Sequence, residues 1–351
     1  MEKCWHIFSC KTLYAFIPIR FRDNMGYEPP FTITTKAVGL VADIAEAVSR
    51  MSVEGLTINP RLRRINRLKS IQSSLAIENN SLTFSQVSDV IDGKPVFGNP
   101  REIQEVKNAF AAYEMMEGLD PCSLDDLLRI HGVMMNIILD DAGRFRRSGV
   151  GVFSGDRLVH MAPPADNVYG LITELMDWLR TSDVHPLVKG CVFHYEFEFI
   201  HPFSDGNGRT GRLWHTLILS KWRESMKWIP IETLVREHQT EYYDAIETST
   251  KLGDSAPFIE LMLSLILEAV RRTVSQELSD GADGLSTIER RLLSMIEDGI
   301  YSNSAGAAEA LSVSERTIER VIRSLKDKGR IVREGGRKTG RWHIVDNSMS
   351  E

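Results

Sequence analysis

The sequence predicts a mostly α-helical protein, interrupted by one short β-hairpin and followed by a small C-terminal helix-turn-helix domain. Three observations predict this: apolar residues recur every three or four positions through most of the chain, only 150–161 breaks that period, and a polar, glycine-rich stretch at 279–284 sets off the last part. At 351 residues there is length for two or three domains. With 42% hydrophobic and 26% charged residues the composition is that of a soluble globular protein, and no apolar run approaches the roughly 20 residues of a membrane span. Cys4, Cys10, Cys122 and Cys191 are scattered without a C-x-x-C pair, which fits a reducing, cytoplasmic compartment and no structural zinc. A formal net charge of −6 excludes the whole molecule as a polyanion binder.

Residues 1–24 show neither a signal-peptide pattern nor a secondary-structure period, and the periodic sequence begins at Met25, which reads as an alternative start. Val38, Leu40, Val41, Ile44 and Val48 form the first helical stripe, and Leu62, Ile65, Leu68, Ile71 and Leu75 the second. Further helices are expected over about 84–92, 101–117, 122–139, 166–181, 186–199, 209–223, 237–250 and 256–278. Two apolar runs flanking Ser154-Gly155-Asp156 form the hairpin, closed by Pro163-Pro164. The expected domains are a leader, 1–24; an N-terminal helical region, 25–118; a core, 119–278; a linker, 279–284; and a C-terminal module, 285–346.

The most informative stretch is His201 to Arg212, HPFSDGNGRTGR, between two expected helices. Gly206, Gly208 and Gly211 let the backbone approach a ligand, and the N-terminus of the following helix favours an anion such as phosphate. Arg209 and Arg212, three apart on the first turn, suit bidentate contacts to phosphate oxygens. Asp205 is a hard oxygen ligand placed to hold Mg²⁺ on those phosphates, and His201, at the loop mouth, is a histidine able to take a proton from an attacking hydroxyl at neutral pH. Together these residues read as phosphate-group transfer from a Mg²⁺-bound nucleotide. The P-loop, Rossmann and H-E-x-x-H patterns are all absent.

HPFSDGNGRTGR resembles in full the signature of the Fic (Fido-domain) family, H-x-F-x-[DE]-G-N-G-R-x-x-R, with Phe197-Glu198-Phe199-Ile200 as a typical lead-in. The resemblance extends over roughly 25–275; it takes in Ala142-Gly143-Arg144-Phe145-Arg146 and the hairpin, which is similar to the family's target-binding flap. It implies a helical Fic fold that transfers AMP from ATP to a Ser, Thr or Tyr hydroxyl of a target protein. His201 would then be the general base and Asp205 the Mg²⁺ ligand. The nucleotide site would comprise Gly206, Asn207, Gly208, Arg209, Thr210, Gly211 and Arg212, with Gly206, Asn207 and Gly208 as anion cradle and the two arginines on the β- and γ-phosphates. Phe203 would anchor the loop in the core. Retention of Gly206, where other members carry alanine, favours AMP as the transferred group. Tyr242-Tyr243 is similar to the tyrosine pair beside adenine, making Tyr243 a further nucleotide contact, whereas Thr250 and Lys251 stand where relatives often carry an asparagine.

Glu78 places a carboxylate at a helix C-terminus, where the macrodipole disfavours it by roughly 1 kcal/mol or less. Ser74-Leu75-Ala76-Ile77-Glu78-Asn79 resembles the family's inhibitory motif, [ST]-x-x-x-E-[GN], which implies that Glu78, with Ser74 behind it, engages Arg212 and blocks placement of the γ-phosphate. In some relatives the same glutamate supports the reverse, de-AMPylating reaction, which stands as an alternative.

The C-terminal module carries three helical patterns and a terminal hairpin, with Ser314 as N-cap of the third helix, and resembles a winged helix. Arg316, Arg320 and Arg323 share helical spacing, and Arg337, Lys338 and Arg341 lie in the expected wing, a set suited to DNA phosphates or to recruiting a protein. The leading reading is an autoinhibited protein adenylyltransferase; the other alternative is a DNA-binding regulator whose Fic domain senses nucleotide. The expected partners are ATP and a target protein, with DNA as a candidate at the C-terminal module; no membrane is involved and a homo-oligomer is allowed.

Overall fold

The computed structural model describes residues 27–50, 60–154, 157–281, 285, 287–301, 303–311, 313–335 and 341–345. The leader and the alternative start at Met25 lie outside them, as do Cys4, Cys10, Arg337 and Lys338. Cys122 and Cys191 are free thiols. The helices α1 (Thr35–Arg50), α2 (Pro60–Ile77), α3 (Phe84–Ile91), α4 (Pro100–Glu114) and α5 (Leu124–Met134) precede strands β1 (Gly151–Ser154) and β2 (Arg157–Met161). They are followed by α6 (Val168–Thr181), α7 (Pro186–Ile200), α8 (Asn207–Trp222), α9 (Ile231–Glu237), α10 (Gln239–Leu252) and α11 (Ala256–Gly281). The chain closes with α12 (Thr287–Glu297), α13 (Ser304–Leu311), α14 (Glu315–Asp327), β3 (Ile331–Glu334) and β4 (Arg341–Ile344). The mostly α class is therefore observed. Among the described residues no helix is long and apolar enough to cross a membrane.

Two compact units divide the chain, one of residues up to Ala45 with Leu68–Ala269, the other of Glu46–Arg67 and Val270 onward. In the larger unit α7 runs through the centre: Leu187, Val188, Cys191, Val192, Phe193 and Phe197 are all buried, and so are residues on its remaining faces. A helix buried all round has no amphipathic stripe. Trp214 of α8 is fully buried against it, its indole N–H donating to the Pro121 carbonyl at 3.1 Å. In α1 the buried stripe is Ala37, Ile44 and Val48; Val38, expected in that stripe, is 58% exposed because it lies one position off the face that Ala37 fills. The helix expected over 122–139 stops at Met134, and three residues on Ile137 adopts φ 66°, which no α-helix accommodates. β1 and β2 pair antiparallel with a register shift between Val152 and Phe153.

In the smaller unit α12, α13 and α14 close on Leu292, Ala308, Leu311, Ile318, Val321 and Leu325, with Ile331 of β3 completing the core. The Ser314 hydroxyl caps α14, accepting from the Thr317 N–H at 3.2 Å. β3 and β4 form an antiparallel pair. The linker expected at 279–284 is only partly non-helical: α11 continues to Gly281, and the division between units falls earlier, after Ala269.

Candidate active site

The loop from His201 to Gly206 joins α7 to α8. α7 ends where His201 turns into the left-handed region (φ 49°, ψ 62°), and Pro202, lacking an N–H, cannot continue the helix. Three buried side chains fix the loop. Arg146 donates to the carbonyls of His201 (2.7 Å), Ser148 (2.8 Å), Pro163 (2.6 Å) and Ile200 (3.2 Å). Asn207 accepts from the Phe203 N–H at 2.8 Å and donates to the Phe203 carbonyl at 2.9 Å. His131 stacks on Phe203, ring centroids 3.6 Å apart, and its Nδ1 accepts from the Gly143 N–H at 2.9 Å. Its proton therefore sits on Nε2, which donates to the Asp205 carbonyl at 2.9 Å. Burial holds the His131 imidazole at a pKa of about 4, so this brace is neutral at physiological pH.

His201 is likewise held neutral, pushed down to about 4 chiefly by burial. Its Nδ1 lies 3.3 Å from the Glu198 carbonyl oxygen, which can only accept, so Nδ1 carries the proton and Nε2 keeps its lone pair. That is the tautomer a general base requires. The carboxyl group of Glu198 is itself buried, with Oε2 3.8 Å from the same Nδ1.

α8 starts at Asn207 with Gly206 as its N-cap and no side-chain cap, and its first intrahelical bond is Thr210 N–H to the Gly206 carbonyl at 3.0 Å. The N–H groups of Asn207, Gly208 and Arg209 thus have no acceptor within the helix, an arrangement that attracts an anion. Gly206 needs its glycine: φ is 82°, and a Cβ would stand 2.6 Å from Met135 Sδ. Arg209 donates to Glu105 Oε1 at 3.2 Å and to Asp205 Oδ1 at 3.0 Å, while its buried Nε finds no partner among the described residues. Asp205 also accepts from the Gly206 N–H at 2.6 Å, and its Oδ2 meets Arg101 of α4 at 3.5 Å. These groups line a cavity of about 290 Å³ open beside Glu78.

Glu78 follows the last residue of α2, and Asn79 after it takes φ 67°, a conformation that asparagine or glycine adopts most readily. The Glu78 carboxylate accepts from Arg212 Nη2 at 2.7 Å. Arg212 is buried and also donates to the Ser74 hydroxyl (3.1 Å) and the Ser74 carbonyl (3.0 Å). A Cβ on Gly208 would collide with Glu78 Oε1, so the carboxylate rests on the first turn of α8, on the surface that presents the free N–H groups.

His201, Asp205, Gly206, Gly208, Arg209, Arg212, Ser74 and Glu78 are thus brought together. The Asn207 side chain braces the loop instead, leaving only its N–H for a ligand. Thr210 is fully buried, and the absent Cβ of Gly211 makes room for Phe197 and Glu198, 3.0 and 3.2 Å from where it would stand. Gly211 therefore serves helix packing, not the ligand approach expected of it. Tyr243 is partly buried within electrostatic reach of Glu78 and Arg212, and burial pushes its phenol up to about 12; Tyr242 is core, its hydroxyl 3.1 Å from His194 Nε2. His131, Arg101 and Glu105 were not picked out in the sequence. His131 falls on the apolar stripe of Leu127, Ile130 and Met134, where a histidine reads as core, and Glu105 and Arg101 read as solvated.

A model of the Fic/DOC family matches residues 121–219. Protein adenylyltransferase fic-1 of Caenorhabditis elegans is 28% identical over 256 residues, 68% of this chain and 48% of its own length. Protein adenylyltransferase Fic of Aedes aegypti is 27% identical over 232 residues, 62% of this chain and 43% of its own. The chain therefore spans about half the length of these curated relatives or somewhat less. Among solved structures, a Fic family protein from Desulfovibrio desulfuricans G20 is 43% identical with a TM-score of 0.74, covering 92% of this chain and 100% of that one. Fic-1 of C. elegans (residues 134–508) shares the fold at 22% identity and a TM-score of 0.56, covering 70% of this chain and 72% of its own.

Proposed function

Because the chain belongs to the Fic family, we propose that it is an autoinhibited protein adenylyltransferase, moving AMP from ATP to a Ser, Thr or Tyr hydroxyl of another protein. The curated relatives are named protein adenylyltransferases, which supports the transferase part of this reading. The observation that carries the autoinhibited form is the seat of Glu78, 2.7 Å from Arg212 and against Gly208, where the terminal phosphates of a nucleotide would meet the first turn of α8.

In this reading the phosphates lie on the N–H groups of Asn207, Gly208 and Arg209, with Arg209 and Arg212 as counter-charges. His201 Nε2 takes the proton of the target hydroxyl, whose oxygen bonds to the α-phosphorus as the bond to the β-phosphate oxygen breaks and pyrophosphate leaves. Asp205 fits Mg²⁺, which favours one or two carboxylates together with phosphate oxygens: its side chain is 42% exposed and, among the described residues, Oδ2 has only the 3.5 Å contact with Arg101. When bound, the ion neutralises phosphate charge. Glu78 withholds Arg212 from the nucleotide and puts a negative charge where a phosphate belongs.

Mg²⁺-dependent AMP incorporation from α-labelled ATP tests this. Low labelling by the wild type, a rise in Glu78→Gly and loss in Glu78→Gly/His201→Ala are expected. Retained ATP binding with no label in Glu78→Gly overturns AMP transfer as the activity and leaves de-AMPylation of a modified protein as the next assay.

The C-terminal module is read as a winged helix, supported by the order of α12, α13, α14 and the β3–β4 pair. Arg316, Arg320 and Arg323 are exposed on α14, which favours a polyanion such as duplex DNA. Salt-dependent binding lost in Arg316→Ala/Arg320→Ala supports that assignment; binding unaffected by the pair, or absent, assigns the module to protein recruitment.

A further inference from the structure

Glu198 is an acidic side chain that the mechanism leaves unused, and it is buried directly behind His201. Its residue is 4% exposed, and Oε1 has no hydrogen-bond partner among the described residues. Oε2 lies 3.8 Å from His201 Nδ1, the nitrogen opposite the one that takes the proton. A buried carboxyl group with no hydrogen bond of its own is costly to keep and needs a reason. We infer that Glu198 is a positioning residue for His201: its carboxylate faces the Nδ1–H and stabilises the imidazolium that forms when Nε2 accepts the target's proton.

The geometry fits this role, which comes in addition to the charge balance that Glu198 shares with the buried Arg212. His201 in isolation is a poor base for a buried site, because burial opposes its charged form. A carboxylate behind Nδ1 lowers that penalty only at the moment the ring becomes cationic, so it acts on the transition state and leaves nucleotide binding alone. No proton passes to Glu198; it stays on the imidazole while pyrophosphate leaves. The other candidate partner, His194, has its Nε2 3.9 Å from Oε1, yet it is fully buried and held well below its ordinary pKa, so it offers no charge.

Glu198 must be ionised to act, and the groups around it set when that happens. From its own helix it faces His194, from the loop just after it His201, from α8 Arg212, from the end of α2 Glu78, and from α10 Tyr242 and Tyr243. Burial raises its pKa to about 7, Arg212 pulls it down and Glu78 pushes it up. Glu78 therefore opposes catalysis twice, by occupying Arg212 and by disfavouring the charged form of the residue behind the base. This corollary rests on the proposed AMP transfer; the juxtaposition of Glu198 and His201 does not.

Two measurements on the full chain test the inference. The first needs no activity: in ¹⁵N-histidine-labelled protein, the His201 ring signals, identified by their loss in His201→Ala, are followed against pH. A step above the ring's own protonation, near pH 7, is expected in the unaltered protein, absent in Glu198→Gln, retained in Glu198→Asp and moved lower in Glu78→Gly. No such step in the unaltered protein, or the same step in Glu198→Gln, overturns the inference. The second compares Glu78→Gly with Glu78→Gly/Glu198→Gln in AMP incorporation from α-labelled ATP. A fall in kcat of about 10- to 100-fold is expected, part of the roughly 100- to 10,000-fold a general base supplies, with KM for ATP unchanged and the upper acid limb of the pH profile gone. Equal kcat and an unchanged limb overturn it. If Glu78→Gly binds ATP but incorporates nothing, AMP transfer fails and the ring titration alone decides Glu198.

Discussion

Asn207 commits both ends of its amide to Phe203, and in doing so holds the loop that carries His201 and Asp205 in register with α8. Truncation to alanine leaves the Phe203 N–H and carbonyl buried and unpaired, at about 1–3 kcal/mol each. We expect Asn207→Ala to lower stability by about 2–6 kcal/mol in urea unfolding and to reduce AMP incorporation, with the m-value unchanged. An unshifted urea midpoint would remove the brace from the account. The identities of these residues were legible in the sequence, because a twelve-residue signature fixes positions as well as types. Their division of labour was not. Asn207, Thr210 and Gly211 read as ligand contacts because a linear motif cannot say which side of a helix faces the core; the bonds of Asn207 to Phe203, the burial of Thr210 and the packing of Phe197 and Glu198 against Gly211 decide it. Glu198 read as a lead-in residue for the same reason.

At the scale of elements, α2 is the least readable helix of the site. Its apolar stripe, Leu62, Leu68, Ile71 and Leu75, is plain, but Ser70, Ser73 and Ser74 are buried as well, on faces that a local pattern assigns to solvent. Their partners stand 138–162 residues away: Ser70 donates to Glu232 at 2.7 Å, Ser73 pairs with Thr233 at 3.2 Å, and Ser74 meets Arg212. Gln239 adds a bond to the Ile77 carbonyl at 3.1 Å. The helix that carries Glu78 is thus seated by individual hydrogen bonds, each worth about 0.5–1.5 kcal/mol net, as much as by apolar contact. Ser70→Ala/Ser73→Ala, which leaves Glu78 untouched, is expected to speed amide exchange over Leu68–Ile77 and to raise AMP incorporation above wild type, short of the level of Glu78→Gly. Faster exchange without a rise in labelling would show that the seat of α2 and the block on Arg212 are separate.

For the molecule as a whole, the buried ionisable groups of the larger unit set its response to acid. His131 and His201 are lowered to about 4, His215 to about 3 and His194 well below its ordinary value, all chiefly by burial, and His160 is displaced in the same direction. A histidine whose folded pKa lies below its unfolded value contributes stability that is complete above about pH 6.5 and lost as pH falls toward the folded value. Glu196 and Glu198 run the other way. Burial raises both to about 7, so the folded state takes up their protons first and gains stability as pH falls from 7 to the unfolded value near 4.5. Near pH 5.5 the unfolded chain holds about four more histidine protons and the folded chain about two more glutamate protons, a net difference of about two, or a slope of about 3 kcal/mol per pH unit. Below about pH 4.5 the glutamates titrate in both states, but His131 and His201 begin to take up protons in the folded state as well, so the difference stays between two and three protons and the slope stays at about 3 kcal/mol per unit. Urea midpoints at pH 7.5, 6.5, 5.5 and 4.5 should be nearly level between the first two and fall between the last three. Glu196→Gln/Glu198→Gln removes the offset, so its descent should be steep from pH 6.5 onward; a double variant parallel to the wild type at pH 5.5 would mean that the two carboxyl groups are already ionised in the folded protein.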